Sequence, residues 1–310
     1  MATDARPARL TPAEFDALHR HLAGRAARAE GDGGALTPAR VLAATREVRT
    51  GRTVTMAAPV QTAPGPDDPE PARHRMSQWP GRSGESGHGL HFAMDRFAMN
   101  VHGDADSHID ALCHVIYDGT LHGGVPASTV TEGGATALAI DAAHDGIVGR
   151  GVLLDIPRLR GVRWLEPGDH VSVDDLAAAE RAQDVRVTEG DLLFVRVGHR
   201  LRRAELGAWH VARARAGLHP SALEFLAERR VAALGGDGNN DTAPSCTDGV
   251  DFPIHVLAIH AMGLYLLDYL QFEDLARVCE EEGRWSFLCV VAPLRLPGAT
   301  GSPVNPIAVL

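Results

Sequence analysis

The sequence predicts a mixed α/β protein. From about residue 90 onward, short β-type apolar runs follow one another between glycine turns: "GLHFAMDRFAMNVHG", "GRGVLLDIP", "GDLLFVRVG", "VAALGGD" and "WSFLCVVAPLRL". Between them lie "SVDDLAAAERAQ" and "HPSALEFLAERR", which carry apolar residues at helical spacing behind serine caps. With 310 residues, 45% of them hydrophobic, the chain is long enough for one large domain with a substantial extension.

Taken in order, residues 11–29 read as a helix, with Thr11 as N-cap, Pro12 at the first helical position and Glu14 completing a capping box. A second helix is expected from Thr37 through Val48, again opened by Thr-Pro. Residues 57–75, "AAPVQTAPGPDDPEPARHR", are rich in proline and charge and read as a surface excursion, a flexible loop or a lid. This divides the chain into a helical extension with a Pro-rich loop (1–89) and a main α/β domain (90–310). There is no internal repeat, and "GGDGNND" lacks the glycine spacing of a phosphate-binding loop.

Composition narrows the function. Net charge is −10, all 30 basic residues are Arg, and no basic cluster is interleaved with aromatics, so neither nucleic acid nor membrane is an expected partner. The Arg-only, Ala- and Gly-rich usage suits a GC-rich bacterial genome. Cys113, Cys246, Cys279 and Cys289 form no CxxC pair, which points to buried thiols instead of a disulfide framework. No apolar run reaches the roughly 20 residues that span a bilayer, and the start shows no secretory pattern, so a cytoplasmic location is expected.

The chemistry concentrates in "HGDADSHIDALCH", where His102, Asp104, Asp106, His108 and Asp110 occupy alternate positions and His114 follows four residues later. On a continuous strand all five side chains would share one face. Apolar flanks, with Phe92, Met94, Phe97 and Met99 before and Leu112, Cys113, Val115, Ile116 and Tyr117 after, turn that face toward an internal cleft instead of bulk water. Carboxylates and imidazoles so crowded call for a cation among them, and a divalent metal is the economical choice.

A second donor segment is "PIHVLAIHAMGLYLLDYLQFEDLA", with His255, His260 and Asp268. Asp268, set within "LYLLDYL", needs a cation, a metal or a strong donor network to offset its desolvation. Histidine and aspartate without cysteine suit Zn²⁺, Mn²⁺ or Fe²⁺, which activate water for attack on a carbonyl, with His114 as proton shuttle. Asp237 and Asp241, with His102 and His260, are candidates for lining the substrate cleft, and turn formation is the alternative for the two aspartates. Arg196 and Arg200 suit either a substrate carboxylate or surface ion pairs.

"SHIDALCH" resembles the HxGTHxDxPxH signature of the metal-dependent cyclase-like hydrolases, the family that includes bacterial kynurenine formamidase and isatin hydrolase. "GDLLFVRVGHR", "GLHPSALEFLAERRVAALGGDGNND" and "HVLAIHAMGLYLLDYLQFEDLA" resemble its larger bacterial members, and "LTPARVLAATREVRTGRTVTM" is similar to their N-terminal extension. The resemblance implies a swivelling β/β/α fold and a homodimer or homotetramer. It also implies His108 and Asp110 as metal ligands, His114 as catalytic acid/base, and His255 and Asp268 as the later ligands, Asp268 standing where formamidases carry Glu. Asp104 stands at the signature's first His, Asp106 where other relatives place a His, and Leu112 at the signature Pro. Either one of these aspartates replaces the His ligand, tilting the site toward Mn²⁺, or neither binds and the site is weakened.

The expected function is a hydrolase that opens an amide, lactam or lactone of a small substrate with metal-activated water, using one divalent ion per chain, Mn or Zn. The alternatives are a polyketide-type biosynthetic cyclase, in which the metal polarises a carbonyl for an internal nucleophile, and a non-catalytic binding homologue with a degenerate site.

Overall fold

Strands that are apolar at nearly every position need cover on both faces, and those of this chain obtain it in the middle of one curled, nine-stranded mixed sheet. The computed structural model describes residues 9–30, 36–79 and 90–310, with the backbone alone for 28–30. Strand order is Thr53–Thr55, Ile307–Val309, Ser286–Val291, Ile147–Asp155, Leu192–Arg196, Ala233–Gly236, Tyr265–Asp268, His108–Asp110 and Gly301–Pro303. The run from Ile147–Asp155 to Tyr265–Asp268 is parallel; the strands on either side of it pair antiparallel. The predicted mixed α/β class is the class observed.

Side-chain alternation sorts the core into two layers. Val152, Leu154, Leu193, Val195, Leu234 and Leu266 face one layer, together with the helices Pro12–Glu30, Val173–Ala182 and Ala222–Arg229. Leu153, Leu192, Phe194, Leu267 and Ile109 face the other, where Leu275, Val278 and Cys279 of the Glu273–Glu282 helix cover them. Among the described residues, no helix is long and apolar enough to cross a membrane. All four cysteines are buried and unpaired.

The capping signals of the sequence are met. Glu14 accepts from Thr11 N and Oγ1 at 2.8 Å, and Asp175 closes the equivalent box with Ser172. The second helix is shorter than expected: Pro38–Ala44 is α-helical, and Thr45–Glu47 tightens into a 3₁₀ turn. The segment read as an extension contributes Thr53–Thr55 to the sheet edge, and its helix buries Phe15 and Leu22 in the main core. The boundary at 89/90 falls on 80–89, outside the described residues.

Three local expectations are corrected. Residues 102–110 do not form one strand: only His108–Asp110 is extended, and 101–106 turn and bend. Asp106 and Ser107 offer the backbone side-chain partners that compete with a strand ladder, with Asp106 Oδ1 accepting from Gln61 N at 2.8 Å and Ser107 Oγ from Ala58 N at 3.0 Å. Of the readings of residues 57–75, the surface excursion holds, since most of the segment is exposed, while these same bonds and a buried Asp67 paired to Arg203 pin it against the flexible-loop alternative. The apolar residues before the motif are not core, since Phe92, Met94 and Phe97 are exposed, the last two on a separate ribbon of Arg73–Gln78 and Met94–Ala98.

Gly151 lies opposite Phe287 in the sheet, and a Cβ there would sit 2.3 Å from the ring. Gly151→Ala is expected to lower stability by about 1–3 kcal/mol through overpacking. Denaturant midpoints check this, with Phe287→Leu in the same chain recovering part of the loss; a Gly151→Ala midpoint equal to wild type refutes the packing account.

Candidate metal centre

The antiparallel register sets His108 opposite Asp268 and Asp110 opposite Leu266, so the two donor segments meet at neighbouring strands. His108 and Asp110 project from one face of their short strand, as period two requires. Ile109 between them enters the core layer on the other face.

Asp110 is fully buried and is shared by two groups of side chains whose ligating atoms lie within 4.8 Å of one another: His102, His108 and Asp110, and Asp110, His114 and His255. Asp110 Oδ1 is 2.9 Å from His102 Nδ1 and 3.6 Å from His108 Nε2. Oδ2 is 3.5 Å from His255 Nε2 and has no hydrogen-bond partner. His255 Nε2 also lies 3.4 Å from Asp268 Oδ2.

Three of the imidazoles are tied by the nitrogen that points away from Asp110. His108 Nδ1 donates to the Asp106 carbonyl at 2.8 Å, which frees Nε2. His255 Nδ1 lies 2.5 Å from Asp241 Oδ2, and His102 Nε2 lies 2.8 Å from Thr300 Oγ1. Such outer partners fix the tautomer and direct a ring lone pair inward, the usual support of a metal-binding histidine. The fourth ring, His114, stacks on His102 at 3.7 Å with 9° between planes, and no hydrogen bond holds it among the described residues.

The electrostatics call for positive charge. Burial would raise the Asp110 pKa, but the His102 hydrogen bond and the surrounding imidazoles outweigh it and hold the carboxyl well below its usual range. Burial would likewise lower His255, yet Asp268 and Asp241 outweigh it and hold the ring well above the imidazole range. A divalent cation supplies the charge that these carboxylates otherwise draw from imidazolium. The orphaned Asp110 Oδ2, the inward nitrogens and the absence of thiol in the set fit Mn²⁺, Zn²⁺ or Fe²⁺.

The other candidates stand outside these groups. Asp104 accepts from Tyr269 Oη at 2.8 Å and Asp106 from Gln61 N, and neither belongs to either group. The second-half aspartate, Asp268, is buried beside the cluster, with Asn240 Nδ2 at 2.5 Å and Asn239 Nδ2 at 3.1 Å donating to it. Asp241 orients His255 and caps its helix by accepting from Ile254 N at 2.7 Å. Asp237 accepts from the backbone N–H groups of Val197, Gly198 and His199 at 2.7–2.9 Å, and burial pushes its carboxyl up to about 6. His260 lies elsewhere, with Nδ1 3.0 Å from His19 and Nε2 3.1 Å from Thr120 Oγ1. Arg196 pairs with buried Asp155 and with Glu273, and Arg200 donates to the carbonyls of Ala105, Tyr269 and Leu270, so neither is the surface ion pair expected.

Sequence reasoning missed the Asn239 and Asn240 clamp, whose signal was the polar "NN" after an apolar run, and it placed His102 with the cleft residues instead of the donor set. Two residues more than the signature spacing separate His102 from His108, and the turn at 101–106 takes them up.

A mixed sheet thus carries, around the His108–Asp110 strand, a cluster of His and Asp side chains that could hold a metal ion. Residues 45–240 match the family described as "Putative cyclase", and the chain belongs to that cyclase family. A solved structure described as a novel cyclase is 29% identical, with TM-score 0.76 over 94% of each chain. Isatin hydrolase A from Ralstonia solanacearum shares the fold at 22% identity and TM-score 0.59, over 88% of this chain and 97% of its own. A predicted metal-dependent hydrolase from Bacillus stearothermophilus does so at 20% and 0.50, over 83% and 97%. A search of curated proteins returns no significant match.

Two outcomes follow from this geometry. His102→Ala should remove the metal bound by protein purified without chelator, whereas Asp104→Asn and Asp106→Asn should keep it; elemental mass spectrometry per chain decides, and metal retained in His102→Ala refutes the assignment. Separately, burial holds His114 down at about 4, against the ordinary 6.5 and despite the opposing Asp110 charge. Between these values the unfolded chain takes up a proton that folded His114 refuses, so this contribution to stability rises with pH across the window. His114→Gln should flatten that rise in EDTA-treated protein, and parallel midpoint-versus-pH curves for the two proteins would contradict it.

Proposed function

We propose that this chain is a metal-dependent hydrolase that opens an amide, lactam or lactone of a small substrate. The observation that carries the reading is the buried, unpartnered Asp110 Oδ2, set among imidazole nitrogens that outer partners aim at it. His102, His108, Asp110 and His255 would hold the ion, with Asp268 beside His255. Bound there, a divalent cation polarises a carbonyl and lowers the pKa of water.

The remaining work belongs to the side chains. Asp241 keeps His255 in the tautomer that presents Nε2, and the Thr300 hydroxyl holds His102 by Nε2 so that Nδ1 faces Asp110. Asn239 and Asn240 hold Asp268 by its two oxygens. His114, the untied ring, is kept neutral by burial. One of its nitrogens accepts a proton from the attacking water and returns it to the leaving nitrogen or oxygen. A biosynthetic cyclisation, with an internal nucleophile in place of water, is the second reading, favoured by the cyclase description of the family and of the 29% identical structure.

A panel of aryl formamides, lactams and aryl lactones, incubated with Mn²⁺- or Zn²⁺-loaded protein, tests the reading by product mass. Hydrolysis adds the mass of water, whereas cyclisation does not. His114→Ala should retain the metal while kcat falls by about 10²–10⁴; turnover unchanged in that variant removes His114 from the reaction, and products that never gain water transfer the case to the cyclase.

A further inference from the structure

A groove of about 480 Å³ lies between two segments that contribute nothing to the metal cluster, 135–144 and 295–298. Its volume is that of a small-molecule site. Ala139, Leu138 and Pro297 give it an apolar lining, and Asp141, His144 and Arg295 supply polar groups.

The walls are fixed. Ala135 N donates to Gly298 O at 2.8 Å, and Ile140 N to Ala299 O at 2.9 Å. A Cβ at Gly134 would stand 2.9 Å from Gly298 O, so the two segments touch through backbone. Leu138 is held in the left-handed region at φ +59°, and its carbonyl accepts from Cys113 N at 3.0 Å. A non-glycine residue keeps that conformation only where its surroundings impose it. His144 is also set, its Nδ1 donating to the Asp141 carbonyl at 2.8 Å.

The charges of the groove are unspent. Neither the exposed Arg295 guanidinium nor the half-buried Asp141 carboxylate has a hydrogen-bond or ion-pair partner among the described residues. One cation and one anion therefore line the same groove, beside its apolar residues, without pairing with each other. The complement is a molecule with a carboxylate, an ammonium and an apolar body. We propose that this groove is a second small-molecule site, separate from the metal centre, for a zwitterion of the α-amino acid type. The guanidinium takes the carboxylate through paired N–H donors, Asp141 takes the ammonium, and the side chain covers Leu138, Ala139 and Pro297.

The test is isothermal titration of the metal-loaded full chain with L-leucine, L-methionine and L-phenylalanine. At least one should bind at one per chain, and isocaproate and isoamylamine, which each lack one charge, should bind more weakly. Arg295→Gln and Asp141→Asn should each weaken binding by about tenfold or more without moving the thermal transition, and His108→Ala should leave it unchanged. Absence of binding by all three probes, equal binding of isocaproate, or binding that survives Arg295→Gln but not His108→Ala would each overturn the proposal. The readout is binding, so it stands or fails apart from the hydrolase reading.

Discussion

Asp110 is the constraint around which the rest is arranged. A carboxylate with no exposure and one orphaned oxygen is tolerable only when hydrogen-bond donors or positive charge stand beside it. The protein provides four imidazoles, and their placement requires distant parts of the chain. His255 arrives from the helix that Asp241 caps, His102 from a turn braced at Thr300, and Asp268 from the strand that pairs with His108. Loss of that strand pairing would separate the two donor segments, so sheet register and site chemistry are one requirement.

The "GGDGNND" stretch shows how much of that requirement falls on one loop. Asp237 gathers three backbone N–H groups at the start of the His199–Leu206 helix, Asn239 and Asn240 grip Asp268, and Asp241 serves both His255 and the backbone of its helix. Every polar side chain there is spent on a buried charge or a helix end. Asn240 adopts φ +60°, a conformation asparagine tolerates better than most residues, which lets consecutive amides reach the same carboxylate.

The sequence was legible where periodicity or local capping decides structure. His108 and Asp110 share a face because a strand repeats every two residues, and Thr11, Glu14, Ser172 and Asp175 announce their helices through short-range bonds. Asp268 was legible as a problem in desolvation, and the donor network that the argument required is present as Asn239 and Asn240. The role of His102 was not legible, because a turn absorbs the extra spacing and its course depends on partners far away in sequence. Asp104 finds Tyr269, Asp106 finds Gln61, and Arg200 gathers the carbonyls of Ala105, Tyr269 and Leu270. No alternation rule contains those contacts. The exposed Phe92, Met94 and Phe97 misled for a related reason: hydrophobicity reports a preference for burial, and the ribbon that carries two of them lies outside the core layers.

The contrast between His114 and its three neighbours is the last step. A ring that supports a cation must not rotate or change tautomer, and His102, His108 and His255 each meet that demand through a far-side partner. A ring that carries a proton must accept it and release it, which needs a nitrogen that neither an ion nor a hydrogen bond already occupies. His114 stacks flat on His102, so its plane is defined while both nitrogens stay uncommitted among the described residues. Stacking limits where the ring goes without deciding where its proton sits. Four histidines alike in sequence are thereby divided into three that are held and one that is free to exchange, and the division is made by their partners instead of by the rings themselves.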